Sequence, residues 1–582
     1  MSCKRENLHS AIVSTLLLLS SFSAYSNDNT AAIKIGGKEN TEIAVKKDAK
    51  ATSQPDNDND HSYQQISKTA NAGDAFAQYE LGSMYQYGQN VAQNNQEALK
   101  WYRKAAAQEL AIAQFSLGWM YLNGQGVTQS YQDALKWHSK AAEQGLAGSQ
   151  YELGVMYQYG HGVTQSDKEA LKLYRRAAEQ DFALAQYSVG WMYTNGKGVQ
   201  QNDQEALKWY RKAAEQGLAN AQHVLGVMYQ NGQGINQNDQ EALKWYRKAA
   251  EQDLAIAQYF LGWMYANGQG VNQSDQEALK WFREAAEHGH DEAQSHIASL
   301  YLHGRGVAQS YQEALKWFRK AAIQGYATAQ FNLGQMYQNG HGIAQNHQEA
   351  LNWFRKAALQ GHATAQFNLG TMYQNGQGID QDYQAALKLF LKAAEQNLAE
   401  AQFNTGIMFQ YGLGTDQSYQ DAFNWYRKAA EQDFAEAQVN IGTLYLHGQG
   451  VEQSSQDALK WFRKAAEQDY AIAQCNIGAH YLFGLSVKKN DQEALHWFRK
   501  AAAQGFANAQ YNIGVMYQTG QGVEQSDQEA LKWYQKAAEQ GHAKAQAKYK
   551  ELTGQDPSRE IQEHPTGDGS DKANYRSHYL TS

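Results

Sequence analysis

The chain has 582 residues, of which 51 are Lys or Arg and 59 are Asp or Glu, so its formal net charge is −8. An acidic balance argues against nucleic acid as the main partner, because neutralising phosphates requires a dense basic face. Lys and Arg cluster in segments that read Trp-Tyr-Arg-Lys and are interspersed with Glu, and we see no basic stripe that recurs along the chain.

The first 26 residues are typical of an export signal. Lys4 and Arg5 form a basic start, an apolar stretch follows over residues 11–22, and small residues for cleavage lie at 24–26. That stretch is too short to cross a bilayer core of about 30 Å, and no later segment is apolar enough, so we expect no membrane span. We therefore expect an exported protein located in the periplasm of a Gram-negative bacterium, with secretion or cell-surface display as the alternatives.

Two polar segments flank the central part of the chain. Residues 27–60 are mixed in charge with few large apolar side chains, which predicts a disordered linker, and residues 553–582 predict a disordered tail for the same reason. Cys3 would leave with the signal, so Cys475 is the only remaining cysteine and no intramolecular disulfide can form.

Between these segments the sequence repeats every thirty-six residues. Ala77-Gln78 recurs as Ala113-Gln114 and finally as Ala545-Gln546, with no insertion or deletion across thirteen full periods. A fixed period of this length indicates a stacked array in which each unit contacts only its neighbours. Residues 61–552 are thus predicted to form one repeat domain with polar end caps.

Each period predicts two helices joined by a tight turn. Ala221, Leu225 and Met228 follow helical spacing, and the segment 231–234, which contains two glycines, ends this first helix. A second helix begins near Asn238. Ordering the backbone costs about 1–2 kcal/mol per residue, which a single hairpin cannot recover by burying one aromatic ring, so neighbouring hairpins must stack.

The motif resembles a known repeat family. Leu-Gly-x-x-Tyr-x-x-Gly-x-Gly over residues 225–234, followed by Ala-x-x-Trp-Tyr-x-x-Ala-Ala over residues 242–250, is similar to the SLR (Sel-one-like) repeats, relatives of the tetratricopeptide repeats. The resemblance covers residues 73–552 and implies an all-α, right-handed α-solenoid of about thirteen helix–turn–helix repeats that mediates protein–protein contacts. The chain departs from the motif at Leu173, Leu389, Ala298, Asn90 and Ser486.

The first helix of each repeat should present one stripe of side chains to a partner. We expect this stripe to contain the equivalents of His223, Val227 and Gln230 and, by analogy with the tetratricopeptide repeats, to line a concave groove. Aromatic residues recur at its first position, among them Tyr79, Tyr151 and Tyr187. Such rings can pack between repeats or contact a ligand.

Tryptophans recur in alternate copies at the position after the helix glycine. These are Trp119, Trp191 and Trp263, whereas later copies carry Gln335 and Thr371. Since the position tolerates such different side chains, the three indoles are candidates to anchor a peptide or a sugar ring. The alternative is that they help neighbouring hairpins interlock.

A column of asparagines is confined to the second half of the array. Its amides could clamp the backbone of a ligand, because an amide both donates and accepts hydrogen bonds. Solvent exposure or contact between adjacent first helices is the alternative. The two halves of a groove could therefore bind different ligands. The asparagines are Asn332, Asn368, Asn404, Asn440, Asn476 and Asn512.

Signals for catalysis, cofactors and metals are weak. The Gly-x-Gly loops lack a third glycine and a preceding strand, and no histidine has a second ligand at zinc spacing. We assign no catalytic, cofactor-binding or metal residue. The predicted function is a non-enzymatic exported scaffold or adaptor that binds a partner protein or an extended peptide along the groove. A secreted or surface host-interaction (virulence) factor and an envelope-glycan-binding module are the alternatives.

Overall fold

The computed structural model describes residues 57–554, which form 28 α-helices and contain no strand. The predicted signal, most of the predicted linker and most of the predicted tail lie outside these residues. The helices in chain order are α1 (Asn57–Asn71), α2 (Ala75–Tyr87), α3 (Asn95–Ala107), α4 (Ala111–Asn123), α5 (Tyr131–Glu143), α6 (Ala147–Tyr159), α7 (Asp167–Ala178), α8 (Ala183–Asn195), α9 (Asp203–Glu215), α10 (Ala219–Asn231), α11 (Asp239–Ala250), α12 (Ala255–Asn267), α13 (Asp275–Glu287) and α14 (Asp291–His303). They continue with α15 (Tyr311–Ile323), α16 (Ala327–Asn339), α17 (His347–Leu359), α18 (Ala363–Asn375), α19 (Tyr383–Glu395), α20 (Ala399–Tyr411), α21 (Tyr419–Ala430), α22 (Ala435–His447), α23 (Ser455–Glu467), α24 (Ala471–Phe483), α25 (Asp491–Ala503), α26 (Ala507–Thr519), α27 (Asp527–Glu539) and α28 (Ala543–Thr553).

The helices alternate between two roles. We call the even-numbered helices A helices and the odd-numbered ones B helices. The chain divides into two compact units at residue 308. The first unit contains α1, six A–B hairpins from α2 to α13, and α14; the second contains α15, six hairpins from α16 to α27, and α28. The predicted all-α solenoid of helical hairpins is confirmed.

Helix ends follow the turn and capping signals in the sequence. Helix α10 ends at Gly232, whose φ of 69° is left-handed and whose N–H bonds to the Met228 carbonyl. Helix α11 begins after Asn238, whose side chain accepts hydrogen bonds from two backbone N–H groups. The predicted capping serine is also found, because Ser274 Oγ accepts from the Glu277 N–H at 3.2 Å.

Within a hairpin the A and B helices approach most closely at a glycine. Gly226 lies against the ring of Tyr246, and a Cβ atom built on Gly226 would come within 2.7 Å of that ring. The ring is fully buried, and its hydroxyl donates to Gln230 Oε1 at 2.7 Å. The remaining core combines aliphatic side chains, such as Ala221 and Leu225, with further aromatic rings. The hairpin therefore closes around the contact between this glycine and the tyrosine ring.

A pair of glutamines recurs at most of the repeats and joins helices there. Gln222 on α10 donates through Nε2 to the Ala214 carbonyl at the end of α9, at 3.1 Å. Its Oε1 accepts from Gln252, at the end of α11, at 2.7 Å. Helix α10 is thus bonded to the B helix before it and to the B helix after it. The same glutamine pair occurs at Gln78–Gln108, Gln114–Gln144, Gln150–Gln180, Gln186–Gln216, Gln330–Gln360, Gln366–Gln396, Gln402–Gln432, Gln438–Gln468, Gln474–Gln504 and Gln510–Gln540.

A second polar contact joins eight of the B helices to the following A helix. Arg247 on α11 donates to the hydroxyl of Tyr265 on α12 at 2.7 Å. This contact lies nearer the surface than the glutamine pair. It recurs at Arg103–Tyr121, Arg175–Tyr193, Arg211–Tyr229, Arg283–Tyr301, Arg319–Tyr337, Arg355–Tyr373 and Arg499–Tyr517.

Replacing Gln222 with Leu should loosen α10. The substitution removes the hydrogen bonds to the Ala214 carbonyl and to the Gln252 amide, which together contribute about 1–3 kcal/mol. Hydrogen exchange of the α10 amides should show an opening free energy lower by that amount. Gln240→Leu, at an exposed site at the start of α11, is the matched control and should change it by less than about 0.5 kcal/mol. Equal effects of the two variants would contradict the role of the glutamine pair.

Candidate partner-binding surface

The exposed side of an A helix comprises its second, sixth, ninth and thirteenth residues. In α10 these are Asn220, Val224, Val227 and Asn231, none of which is buried. This spacing places them on one helix face. We call the faces formed by these positions in neighbouring A helices the A surface. Of the three residues expected on the binding stripe, only Val227 lies on the A surface. His223 is 3% exposed, and Gln230 accepts the hydrogen bond from Tyr246 described above.

The candidate tyrosines lie at the fifth position of their A helices and turn toward the B helix of the same hairpin. The ring of Tyr79 lies 5.6 Å from that of Tyr102, and the ring of Tyr187 lies 5.4 Å from that of Tyr210. Tyr151 packs in the same way on the aromatic ring of α7, at 5.5 Å. Tyr187 is 5% exposed. These rings extend the hairpin core, and none of them lies on the A surface.

The candidate tryptophans lie on the A surface at the ninth position. Trp119, Trp191 and Trp263 are all partly buried. Trp191 packs against the core clusters on both sides of α8, and Trp263 packs against the cluster around Tyr246. One part of these indoles thus supports the stack while another part stays open to solvent. All three belong to the first unit.

The candidate asparagines lie on the A surface at the sixth position, in the second unit. All six are partly buried. Asn512 donates weakly to the sulfur of Cys475 on the preceding A helix, at 3.7 Å. Among residues 57–554 no hydrogen-bond partner is found for the amides of Asn332, Asn368, Asn404, Asn440 and Asn476. These amides form a column of unused donors and acceptors that water reaches.

Most of the basic residues lie on the B helices, and many of them make contacts there. They do recur with the repeat, contrary to the sequence analysis. Lys244 pairs with Glu241 at 3.5 Å, and the ammonium of Lys248 lies 4.3 Å from the ring centre of Trp245. The arginine of the same turn binds the next A helix, as described above. These cations serve contacts within the repeats.

Two acidic residues lie on the A surface of the first unit. Glu80 and Glu152 occupy the sixth positions of α2 and α6. Burial raises the pKa of Glu152 to about 7, and burial together with the charge of Asp74 raises the pKa of Glu80. No ion pair to either carboxyl group is found in the described part of the chain. Each therefore stands partly desolvated without a compensating cation.

Nothing among residues 57–554 forms a group of His, Cys, Asp or Glu side chains that could hold a metal ion. Cys475 is buried, and burial raises the pKa of its thiol to about 12.

A shallow cavity of about 530 Å³ lies in the second unit beside Tyr373, Asp380 and Tyr383. No described helix is both long and apolar enough to cross a membrane.

Paired antiparallel helices stacked in this way define the class of tetratricopeptide-like repeat scaffolds, which generally serve protein–protein interaction. The Sel1 repeat family matches thirteen consecutive segments that run without gaps from residue 75 to residue 542. The chain therefore belongs to the Sel1 repeat family.

Solved structures of the same fold resemble the chain. One is c5321, described as a protective antigen present in uropathogenic Escherichia coli strains and displaying an SLR fold. It is 33% identical, with a TM-score of 0.62, over 82% of this chain and 99% of that one. A Sel1 repeat protein from Oxalobacter formigenes is 32% identical, with a TM-score of 0.44, over 56% of this chain and 93% of that one. No match is found among curated proteins.

Three features of the interfaces and the A surface were not predicted from the sequence. The glutamine of the Ala-Gln pair established only the period, although its presence in every copy was a signal of a structural role. The contact between the arginine of one repeat and the tyrosine of the next has no such local signal. The A helices of the thirteen repeats contain no Lys or Arg, which can be read directly from the sequence.

A buried histidine makes the first unit sensitive to acid. His138 takes the place of the core Tyr or Phe on α5, packs edge-on against Phe115, and has no hydrogen-bond partner at either nitrogen. Burial lowers the pKa of its imidazole to about 3. Because this value lies below the pKa of about 6.5 in an unfolded chain, the unfolded state binds the proton more readily. The free energy of unfolding that depends on the neutral His138 is therefore fully present above pH 6.5 and is lost as the pH falls.

We expect His138→Phe to reduce the acid sensitivity of the fold. At pH 5 protonation of the unfolded state should cost the wild type about 2 kcal/mol through this one residue, at 1.36 kcal/mol per pKa unit. Urea unfolding followed by circular dichroism at pH 7 and pH 5 measures the difference. His303→Gln, at an exposed site, should leave that difference unchanged. A His138→Phe variant that loses as much stability as the wild type between the two pH values would refute the assignment.

Proposed function

We propose that this protein is an exported, non-enzymatic scaffold that binds an extended segment of a partner protein along the A surface. The observation that supports it most strongly is the asparagine column of the second unit. Polar side chains at the repeat interfaces, such as Gln222, Gln252 and Arg247, have partners within the array. The amides of Asn332, Asn368 and Asn404 have none among the described residues. Amides of this kind remain available to bond a peptide backbone.

The period of the column suits an extended ligand. Successive asparagines are one repeat apart, so a chain that crosses the A helices meets the same amide at each step. A solenoid offers such a ligand a long surface without a deep pocket. Export of the protein, with the periplasm as its destination and secretion or the cell surface as alternatives, rests on the basic and apolar character of residues 1–26.

A host-interaction role is a second candidate. It is motivated by the likeness to the Escherichia coli protein described as a protective antigen, which the chain matches over 99% of that protein's length. An envelope glycan is a third possible ligand, since Trp119, Trp191 and Trp263 could stack on sugar rings. The experiment below separates these candidates by the chemical nature of what binds the A surface.

Photo-crosslinking in the native bacterium tests the proposed surface. A photoreactive amino acid placed at Thr371, on the A surface of α18, should capture a protein partner. The same amino acid at Lys388, which is exposed on α19 of the same repeat, should not. Equal capture from both sites would argue against the A surface. Adducts of glycan alone from Thr371 would favour the envelope-glycan candidate, and adducts of a host protein in infected cells would favour the host-interaction candidate.

The asparagine column should determine the yield of that adduct. A hydrogen bond to a partner contributes about 0.5–1.5 kcal/mol, so Asn332/Asn368/Asn404→Ala should lower binding about tenfold or more. The matched control, Gln348/Gln384/Gln420→Ala, removes three exposed amides from the B helices of the same three repeats. It should leave the yield unchanged. Loss of binding in both variants would indicate a general effect on the fold.

A further inference from the structure

Charge is segregated between the two kinds of helix. The A helices of the thirteen repeats contain no Lys or Arg, whereas the B helices carry most of the basic residues of the array. The charged residues of those A helices, with histidine neutral, are all acidic: Glu80, Glu152, Asp291, Glu292, Glu400 and Glu436. A surface lacking one sign of charge is complementary to a ligand that carries that sign.

The tryptophans show the same asymmetry. Every tryptophan on a B helix has a lysine ammonium over its ring; for example, Lys104 lies 3.8 Å from the ring centre of Trp101. The tryptophans on A helices are Trp119, Trp191 and Trp263, and no cation lies over their rings in the part of the chain that the structure describes. Indole faces attract cations. These three partly exposed indoles therefore lack the lysine contact that every tryptophan on a B helix makes.

The carboxyl groups and the indoles alternate along the first unit. Glu80 lies on α2, Trp119 on α4, Glu152 on α6 and Trp191 on α8, all on the A surface. Tyr87 is 59% exposed and Tyr159 is 47% exposed, and they lie on the same faces as Glu80 and Glu152. Each carboxyl group is partly shielded from water and unpaired within residues 57–554. An ion pair formed there is screened less than one in open solvent.

We infer that the A surface of the first unit binds an extended polypeptide segment rich in lysine or arginine, with cationic side chains alternately at the glutamates and over the tryptophans. This inference rests on the proposed function. It limits the partner of the first unit to segments that carry positive charge. The second unit, with amides at the sixth position, would contribute contacts that do not depend on charge. The two units would thus recognise different features of a ligand.

Fluorescence anisotropy with two labelled peptides tests the inference. One peptide alternates lysine with serine, the other glutamate with serine, and both are titrated with the full mature protein at physiological ionic strength. We expect the lysine peptide to bind and the glutamate peptide not to bind. Equal binding of the two peptides, or no binding of either, would overturn the inference.

Matched charge variants show where the lysine peptide binds. Glu80→Gln/Glu152→Gln should weaken its binding about tenfold, because both ion pairs are lost. Glu143→Gln/Glu215→Gln removes the same charge from exposed ends of α5 and α9, at the same sequence separation, and should weaken it less than twofold. Similar losses of affinity in both double variants would show that the peptide is attracted only by the net charge of the protein. They would refute the A surface as the binding site.

The indoles give an independent readout. Trp119→Phe/Trp191→Phe should weaken the lysine peptide several-fold, because phenylalanine attracts a cation less strongly than tryptophan. An unchanged affinity would remove the tryptophans from the site. A native partner crosslinked at Thr371, combined with no preference for the lysine peptide, would overturn this inference and leave the proposed function intact. Absence of any A-surface adduct would instead contradict the proposed function.

Discussion

The array depends on a glutamine side chain that bonds an A helix to the B helices on either side of it. Gln222 bonds the end of α9 and the end of α11 through the two atoms of a single amide. The bond to the end of α9 is buried and the bond to the end of α11 is partly buried, so losing them removes hydrogen bonds that water replaces only in part. Since no hairpin buries enough apolar surface alone, this joint fixes the distance and the register at which the next hairpin packs. A period without insertions is the expected result.

The fold could be predicted because the period, the helical spacing and the turn glycines all indicate the same structure. The hydrogen bonds of the glutamines between helices could not be predicted. A glutamine in every copy identifies an important position, but its partners are thirty residues away or on another helix. Local exceptions were equally hidden. Ser486 takes a left-handed φ of 81° where most repeats have glycine, and the nearby His480 ring lies 3.1 Å from its hydroxyl. That side-chain contact appears only in three dimensions.

The A surface was predicted in part. Trp119 and Asn404 lie on it as expected, whereas Tyr187 faces the core. The error has a physical cause. An A helix packs against two B helices, so apolar residues lie on several of its sides and no single stripe of apolar spacing marks its open side. The close approach of Gly226 to Tyr246 sets the rotation of the helix. Sequence alone gives the glycine but not the direction in which it faces.

Separate roles for the two kinds of helix explain how the array can both stack and bind. The B helices use their cations internally, on Trp245, on neighbouring carboxylates and on Tyr265, so the charge of the stack is satisfied without the A surface. The A surface can then vary from repeat to repeat without loss of packing. Its open amide groups cost little while water solvates them, but a ligand that displaces this water must replace its hydrogen bonds. An unmatched ligand would bury these groups without partners, so the same groups that bind the right partner exclude the wrong one.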